Sequence, residues 1–341
     1  MARRDSRRQR GGRAGRAFTA FMLILGVPLC ALGLDAAVTA AVSTERRSVV
    51  IEASPGVRDA DTWDAAFATV FLNGLGLDIS GQQALALAPS VGRYGRVLGL
   101  EYAEVFDPNE AADALAEALM PDEDSPRPVY LAVAASSMGD VRGLEIIASL
   151  TQRQPDVRVM GFIVNTGPGP RKRVRVRGGA TVQAVIDRSC SAFIPGRVTL
   201  GLLEVLNQSA QGRLDNSHEV AVAYRAGTTY RGGVVFNQLC SLTRPSAVDA
   251  PPPIPYTVYL TTGDPADDRV VDTDGAYRDW VQVLPGMQRI RVPGATHDNF
   301  SFRPDLFNPL FANEIMPRIR AQQIVRSPAT RPNGLGAQHP V

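Results

Sequence analysis

Two adjacent serines, Ser136 and Ser137, stand in VYLAVAASSMGDVR, Val129 to Arg142, where an apolar run stops at small residues and a helical pattern begins. A serine hydroxyl is a weak nucleophile until an imidazole takes its proton, and the imidazole needs an acceptor on its other ring nitrogen to fix the tautomer. The chain has three histidines, which keeps the search for that base short. His339 falls in a tail rich in Pro, Gly, Arg and Ala, and His218 lies in an irregular middle segment, within DNSHEV. His297, in VPGATHDNF, follows a strand pattern near the end of the chain and is the candidate base. No His, Cys and Asp cluster has metal-ligand spacing and no glycine motif suggests a nucleotide, so no metal and no cofactor is expected.

The elements that must position these groups alternate. RSVVIEAS (Arg47 to Ser54), ATVFLNGLG (Ala68 to Gly76) and YGRVLGLEY (Tyr94 to Tyr102) predict strands. DPNEAADALAEALM (Asp107 to Met120) predicts a helix, with Asp107 as cap, Pro108 in the first turn and Ala and Leu at helical spacing. The serine stretch gives a strand and then a helix with Val141, Leu144 and Ala148 on one face, and DVRVMGFIVNTGPG (Asp156 to Gly169) gives a further strand. The pattern breaks between 170 and 255 and resumes at YTVYLTTGDPADDRVVD (Tyr256 to Asp272). A helix near DGAYRDWVQVL, a strand in MQRIRVPGATHDNF (Met287 to Phe300) and a closing helix in DLFNPLFANEIMPRIRAQQ follow. Apolar strands alternating with helices predict an α/β fold, a mainly parallel central sheet with helices on both faces. Functional sites of such sheets form at the C-terminal edge, over which the middle insertion is expected to sit as a lid or cap.

At this level the chain resembles the α/β-hydrolase family, over roughly Arg47 to Gln322. In that family the nucleophile occupies G-x-S-x-G between a strand and a helix, followed in chain order by an acid and a histidine. ASSMG, Ala135 to Gly139, matches with Ala in place of the first glycine, and the order Ser137, an Asp within TTGDPADDRVVD, His297 is the family's order. The resemblance implies a strained elbow in which positions two before and two after the nucleophile pack closely and must be small. Ala135 adds one methyl, whereas centring on Ser136 would put Met138 in the crowded place, so Ser137 is selected. DDRVV resembles the family's acid motif and selects Asp268, with Asp267 and Asp264 as alternatives. The family's oxyanion donors map to the N–H of Met138 and, through FLNGLG with Asn73 in the histidine position, to the N–H of Leu75. The expected activity is cleavage of a carboxylic ester or related acyl substrate, a small molecule or lipid. The alternatives are an amidase or peptidase of the same fold and a non-catalytic envelope protein on that scaffold. Serine in place of aspartate at the nucleophile argues against epoxide or haloalkane chemistry.

The rest of the chain bears on location. A length of 341 residues with 45% hydrophobic residues supplies a sizeable core, and a net charge of +2 gives no reason to expect nucleic acid as a partner. Residues 1–16 hold seven arginines, and the uncharged run of 18 residues from Ala17 to Leu34 follows directly. The segment 17–42 reads as a signal anchor or a signal peptide, and either sends the rest of the chain out of the cytoplasm, membrane-bound or secreted. In an oxidising compartment Cys190 and Cys240 could form a disulfide, worth roughly 4 kcal/mol on the chain-entropy model, or stay separately buried. RKRVRVR (Arg171 to Arg177) alternates like an edge strand with a solvated face, or could touch an anionic lipid or substrate. The expected division is therefore a basic segment 1–16, a signal segment 17–42, core 43–169, cap 170–255, core 256–322 and a disordered tail 323–341.

Overall fold

A computed structural model of the protein describes residues 47–53, 61–74, 79–102, 106–170, 250–268, 271–297 and 300–326, with single residues between 201 and 248. Seven strands form one sheet: β1 (Val49–Ala53), β2 (Phe67–Leu72), β3 (Arg96–Glu101), β4 (Val129–Ser136), β5 (Val157–Asn165), β6 (Tyr256–Thr262) and β7 (Gln288–Val292). Their order is β1-β3-β2-β4-β5-β6-β7, and every pairing is parallel except β1 with β3. All residues of β2 and β4 are buried, as continuous apolar runs in a sheet covered on both sides should be. β1, at the edge and antiparallel, is exposed at Val49 and Ile51.

Alternate side chains of each strand feed two cores. Val70, Leu72, Leu131, Val133 and Ala135 face the helices α2 (Pro108–Leu119), α3 (Met138–Arg153) and α4 (Thr273–Val283). Phe67, Phe71, Tyr130, Ala132 and Ala134 face α1 (Ile79–Val91), α5 (Pro304–Leu310) and α6 (Met316–Arg326). The register between β4 and β5 shifts after Leu131, so Leu131 opposes Val159 and Ala132 opposes Gly161. That bulge keeps Val133 and Phe162 on the same face beyond it.

Three sequence expectations change. Helix α1 was not foreseen in 79–91: its buried face carries Ser80 and Gln83, its outer face an exposed Leu85, and Pro89 lies inside it. That distribution hides the apolar stripe on which a helix is recognised. The closing helix is not continuous, because the π-helical turn Phe311–Ile315 lies between α5 and α6. Pro309 and Pro317, on either side of it, each lack the N–H that a regular ladder needs. The core also runs past the boundary at 322: α6 reaches Arg326, and Gln323 is buried and donates to Asp64 Oδ2 at 2.9 Å.

Among the described residues no helix is long and apolar enough to cross a membrane. The segments 1–16 and 17–42, the possible cysteine pair Cys190 and Cys240, the RKRVRVR stretch, most of the expected cap, His218, Leu75 and the tail from 327 lie outside the described residues.

Candidate active site

Strand β4 ends in the middle of the sheet and the chain turns at once into α3, with Ser137 alone at the corner. Its backbone is at φ 55 and ψ −123, a region a non-glycine residue occupies at a cost of about 1–3 kcal/mol. The surroundings hold it there. Ser137 N–H donates to the Asn165 carbonyl at 2.9 Å, and the Ser137 carbonyl accepts from Asp140 N–H at 3.2 Å. A side chain at Gly139 would begin 2.4 Å from the carbonyl oxygen of Asn73 and 2.7 Å from that of Leu72. The demand for glycine therefore comes first from the main chain of Leu72 and Asn73, at and just past the end of β2.

The two serines part company. Ser136 Oγ is fully buried and accepts from the side-chain amides of Gln83 at 3.4 Å and Asn165 at 3.3 Å. Ser137 is 8% exposed, and its Oγ lies 2.8 Å from His297 Nε2. His297 follows β7 in the turn that begins at Pro293. Three residues on, Phe300 is buried in an aromatic knot with Phe71, Phe307 and Phe311, ring centroids 4.9–6.0 Å from its own. This knot ties the loop that carries the imidazole to β2.

His297 Nδ1 is 3.0 Å from Asp268 Oδ2. Asp268 is buried just past the 3₁₀ turn Pro265–Asp267, and its Oδ1 accepts Val271 N–H at 2.9 Å. An ionised carboxylate only accepts hydrogen bonds, so Nδ1 carries the proton and Nε2 presents its lone pair to the serine hydroxyl. The alternative acids are not brought to the imidazole. Asp264 is exposed and caps the 3₁₀ turn through Ala266 N–H, and Asp267 is exposed within that turn.

Two expected oxyanion donors fare differently. Met138 is the first residue of α3, so its N–H has no acceptor within the helix and sits at the positive end of the helix dipole. Leu75 lies beyond the described part of its loop, of which Asn73 is the stem. Asn73 N–H donates to Ser80 Oγ at 3.0 Å, and its carbonyl accepts Tyr102 Oη–H at 3.0 Å. Its own buried carboxamide has no hydrogen-bond partner among the described residues.

A second buried carboxylate, Asp140, lies in the first turn of α3 and accepts Asn165 N–H at 3.3 Å. Gly167 is bare where it passes, since a side chain there would begin 1.7 Å from Asp140 Oδ2. Tyr259 donates to the Gly167 carbonyl at 2.9 Å. Burial, then the charges of Asp140 and Asp268, push the Tyr259 hydroxyl well above its usual pKa, so it stays a neutral donor. Gln83, Asn165 and Asp140 were not foreseen as parts of the site. The polar Asn165 ending a strand that is apolar after Arg158 was the one available signal, and it acquires meaning only with the β4–β5 register. Among the described residues no group of three or more His, Cys, Asp or Glu side chains is placed to hold a metal ion.

No protein-family model and no curated protein matches the sequence. Solved structures do resemble it. A thermophilic esterase from Thermogutta terrifontis is 15% identical with a TM-score of 0.51, over 81% of this chain and 93% of that one. A structure of carboxylesterases from the thaumarchaeon Nitrososphaera gargenis gives 12% identity and a TM-score of 0.49, over 82% and 96%. A meta-cleavage product hydrolase from Pseudomonas fluorescens gives 14% and 0.48, over 80% and 94%.

Proposed function

We propose that this chain, which has the α/β-hydrolase fold, is a serine hydrolase that cleaves a carboxylic ester or a closely related acyl compound. One geometric observation carries this. Ser137 Oγ, His297 Nε2, His297 Nδ1 and Asp268 Oδ2 form a continuous hydrogen-bonded line, with steps of 2.8 and 3.0 Å, at a strained strand-to-helix corner. A surface serine beside a histidine needs neither the strain nor the buried acid.

In the proposed reaction Ser137 Oγ attacks the acyl carbon while its proton passes to His297 Nε2. Asp268 holds the Nδ1 proton in place and stabilises the imidazolium that forms. The negative charge on the substrate oxygen is met by Met138 N–H and by the N–H of Leu75. The imidazolium returns its proton to the leaving alkoxide as the tetrahedral intermediate collapses to an acyl-enzyme. Water, deprotonated by the same Nε2, then attacks that ester, and the imidazolium returns the proton to Ser137 Oγ as the acyl–oxygen bond breaks and the carboxylic acid leaves. Structural likeness to a thermophilic esterase supports an oxygen leaving group over a nitrogen one.

A fluorophosphonate probe is expected to label the wild-type chain and to leave Ser137→Ala unlabelled. Labelling that survives the substitution would overturn the assignment of the nucleophile.

A further inference from the structure

Resting on the serine-hydrolase reading above, we propose that Ser136 is a positioning residue. Its hydroxyl, gripped from two sides, keeps the backbone of Ser137 in the left-handed conformation that presents the nucleophile to His297.

The grip comes from separate elements. Gln83 reaches in from α1 and donates from Nε2 at 3.4 Å, while Asn165, at the end of β5, donates from Nδ2 at 3.3 Å. Both bonds are long for N–H···O, so neither alone fixes the hydroxyl, but two donors converging on one oxygen leave it little freedom. Gln83, Ser136 and Asn165 are all buried, so no water replaces a lost partner at once.

Asn165 also holds the corner through its main chain. Its carbonyl accepts Ser137 N–H, and its N–H donates to Asp140 Oδ1 in the first turn of α3. One residue thus touches positions 136, 137 and 140, bracketing the corner from the neighbouring strand. The next residue, Thr166, is itself at φ 53 and donates its N–H to the Leu260 carbonyl. Only Ser137 and Thr166 among the described non-glycine residues have positive φ, and they end adjacent strands at the same level of the sheet. In this arrangement a methyl at 136 would leave two buried amides facing carbon. Their readjustment would loosen the one peptide that must stay strained.

The test uses the full chain and the rate of fluorophosphonate labelling at Ser137, with thermal melting of each variant as a control. Ser136→Ala is expected to label about tenfold more slowly at saturating probe, with the half-saturating probe concentration unchanged. Gln83→Met supplies a readout that packing alone does not move. It removes the donor at nearly the same length, so Ser136→Ala made in that background is expected to slow labelling less than it does in the wild-type chain. Wild-type rates in Ser136→Ala overturn the proposal. So does a loss accounted for by the unfolded fraction, or a Ser136→Ala loss that is just as large in the Gln83→Met background. A wild-type chain that does not label at Ser137 overturns the hydrolase reading, and the proposal with it.

Discussion

Asp268 and Asp64 lie at opposite ends of the parallel strands, and the two make unlike use of the same carboxylate. Asp64 precedes β2 and accepts Ala66 N–H at 2.9 Å, Arg320 Nη1 at 3.0 Å and Gln323 Nε2 at 2.9 Å. Its side chain is 29% exposed and one of its three partners is a guanidinium, a charge that never titrates in a protein. Asp268 follows β6, is fully buried, and faces an imidazole through one oxygen and Val271 N–H through the other. A guanidinium facing Asp268 would satisfy that carboxylate but could not take a proton from serine. In the proposed reaction the acid's charge is answered instead by the imidazole as it takes the serine proton. At the other end the charge is answered permanently, and its effect is to pin α6 to the sheet.

The widest gap between the two is expected in Asp268→Asn. The amide keeps an acceptor for Val271 N–H but can turn a donor toward Nδ1, which favours the tautomer that cannot accept the serine proton. The rate of ester hydrolysis is expected to fall by about 10⁴-fold with little change in melting temperature. A loss of tenfold or less would mean that Asp268 is a structural acid like Asp64.

Asp64→Asn should invert that pattern, with hydrolysis unchanged and melting at neutral pH lowered by about 1–3 °C. Partial burial raises the Asp64 pKa, but the bonds from Gln323, Ala66 N–H and Arg320, together with the Arg320 charge, hold the net value below the ordinary 3.8. A carboxyl with a lowered folded pKa contributes its stability fully above 3.8 and loses it as pH falls through the folded value. The melting difference between wild type and Asp64→Asn is therefore expected to close as pH drops below about 4. A difference that does not change as pH falls would mean that shape, not charge, joins α6 to the sheet.

Much of this was legible in the sequence where one residue type carries one meaning. The unbroken apolar runs of β2 and β4 announce strands covered on both faces, and a chain with so few histidines leaves little choice of base. Legibility ends where the meaning of a residue depends on its neighbour in space. Gln83 carries no signal of its own until α1 is laid against the sheet, when it becomes a donor to Ser136. Asn165 reads as a strand terminator until the register puts it beside the corner. Gly139 was expected to be small for the sake of Ala135, yet the nearest atoms a side chain there would meet belong to Leu72 and Asn73, more than 60 positions earlier. The antiparallel course of β1 is likewise a matter of where a short β-branched strand pairs, which its own residues do not specify.

The smallest expected effect belongs to Asp267, adjacent in sequence to Asp268 and opposite to it in environment. Its carboxylate is exposed at the end of the 3₁₀ turn, and the bond that fixes its place is made by its N–H to the Asp264 carbonyl at 3.0 Å. Asp267→Asn keeps that N–H and removes one solvated charge, so hydrolysis is expected to stay within about twofold of wild type. Should the rate fall a hundredfold, the turn must rearrange when substrate binds and deliver Asp267 to the imidazole. Burial in the free protein would then no longer separate the working acid from its neighbours.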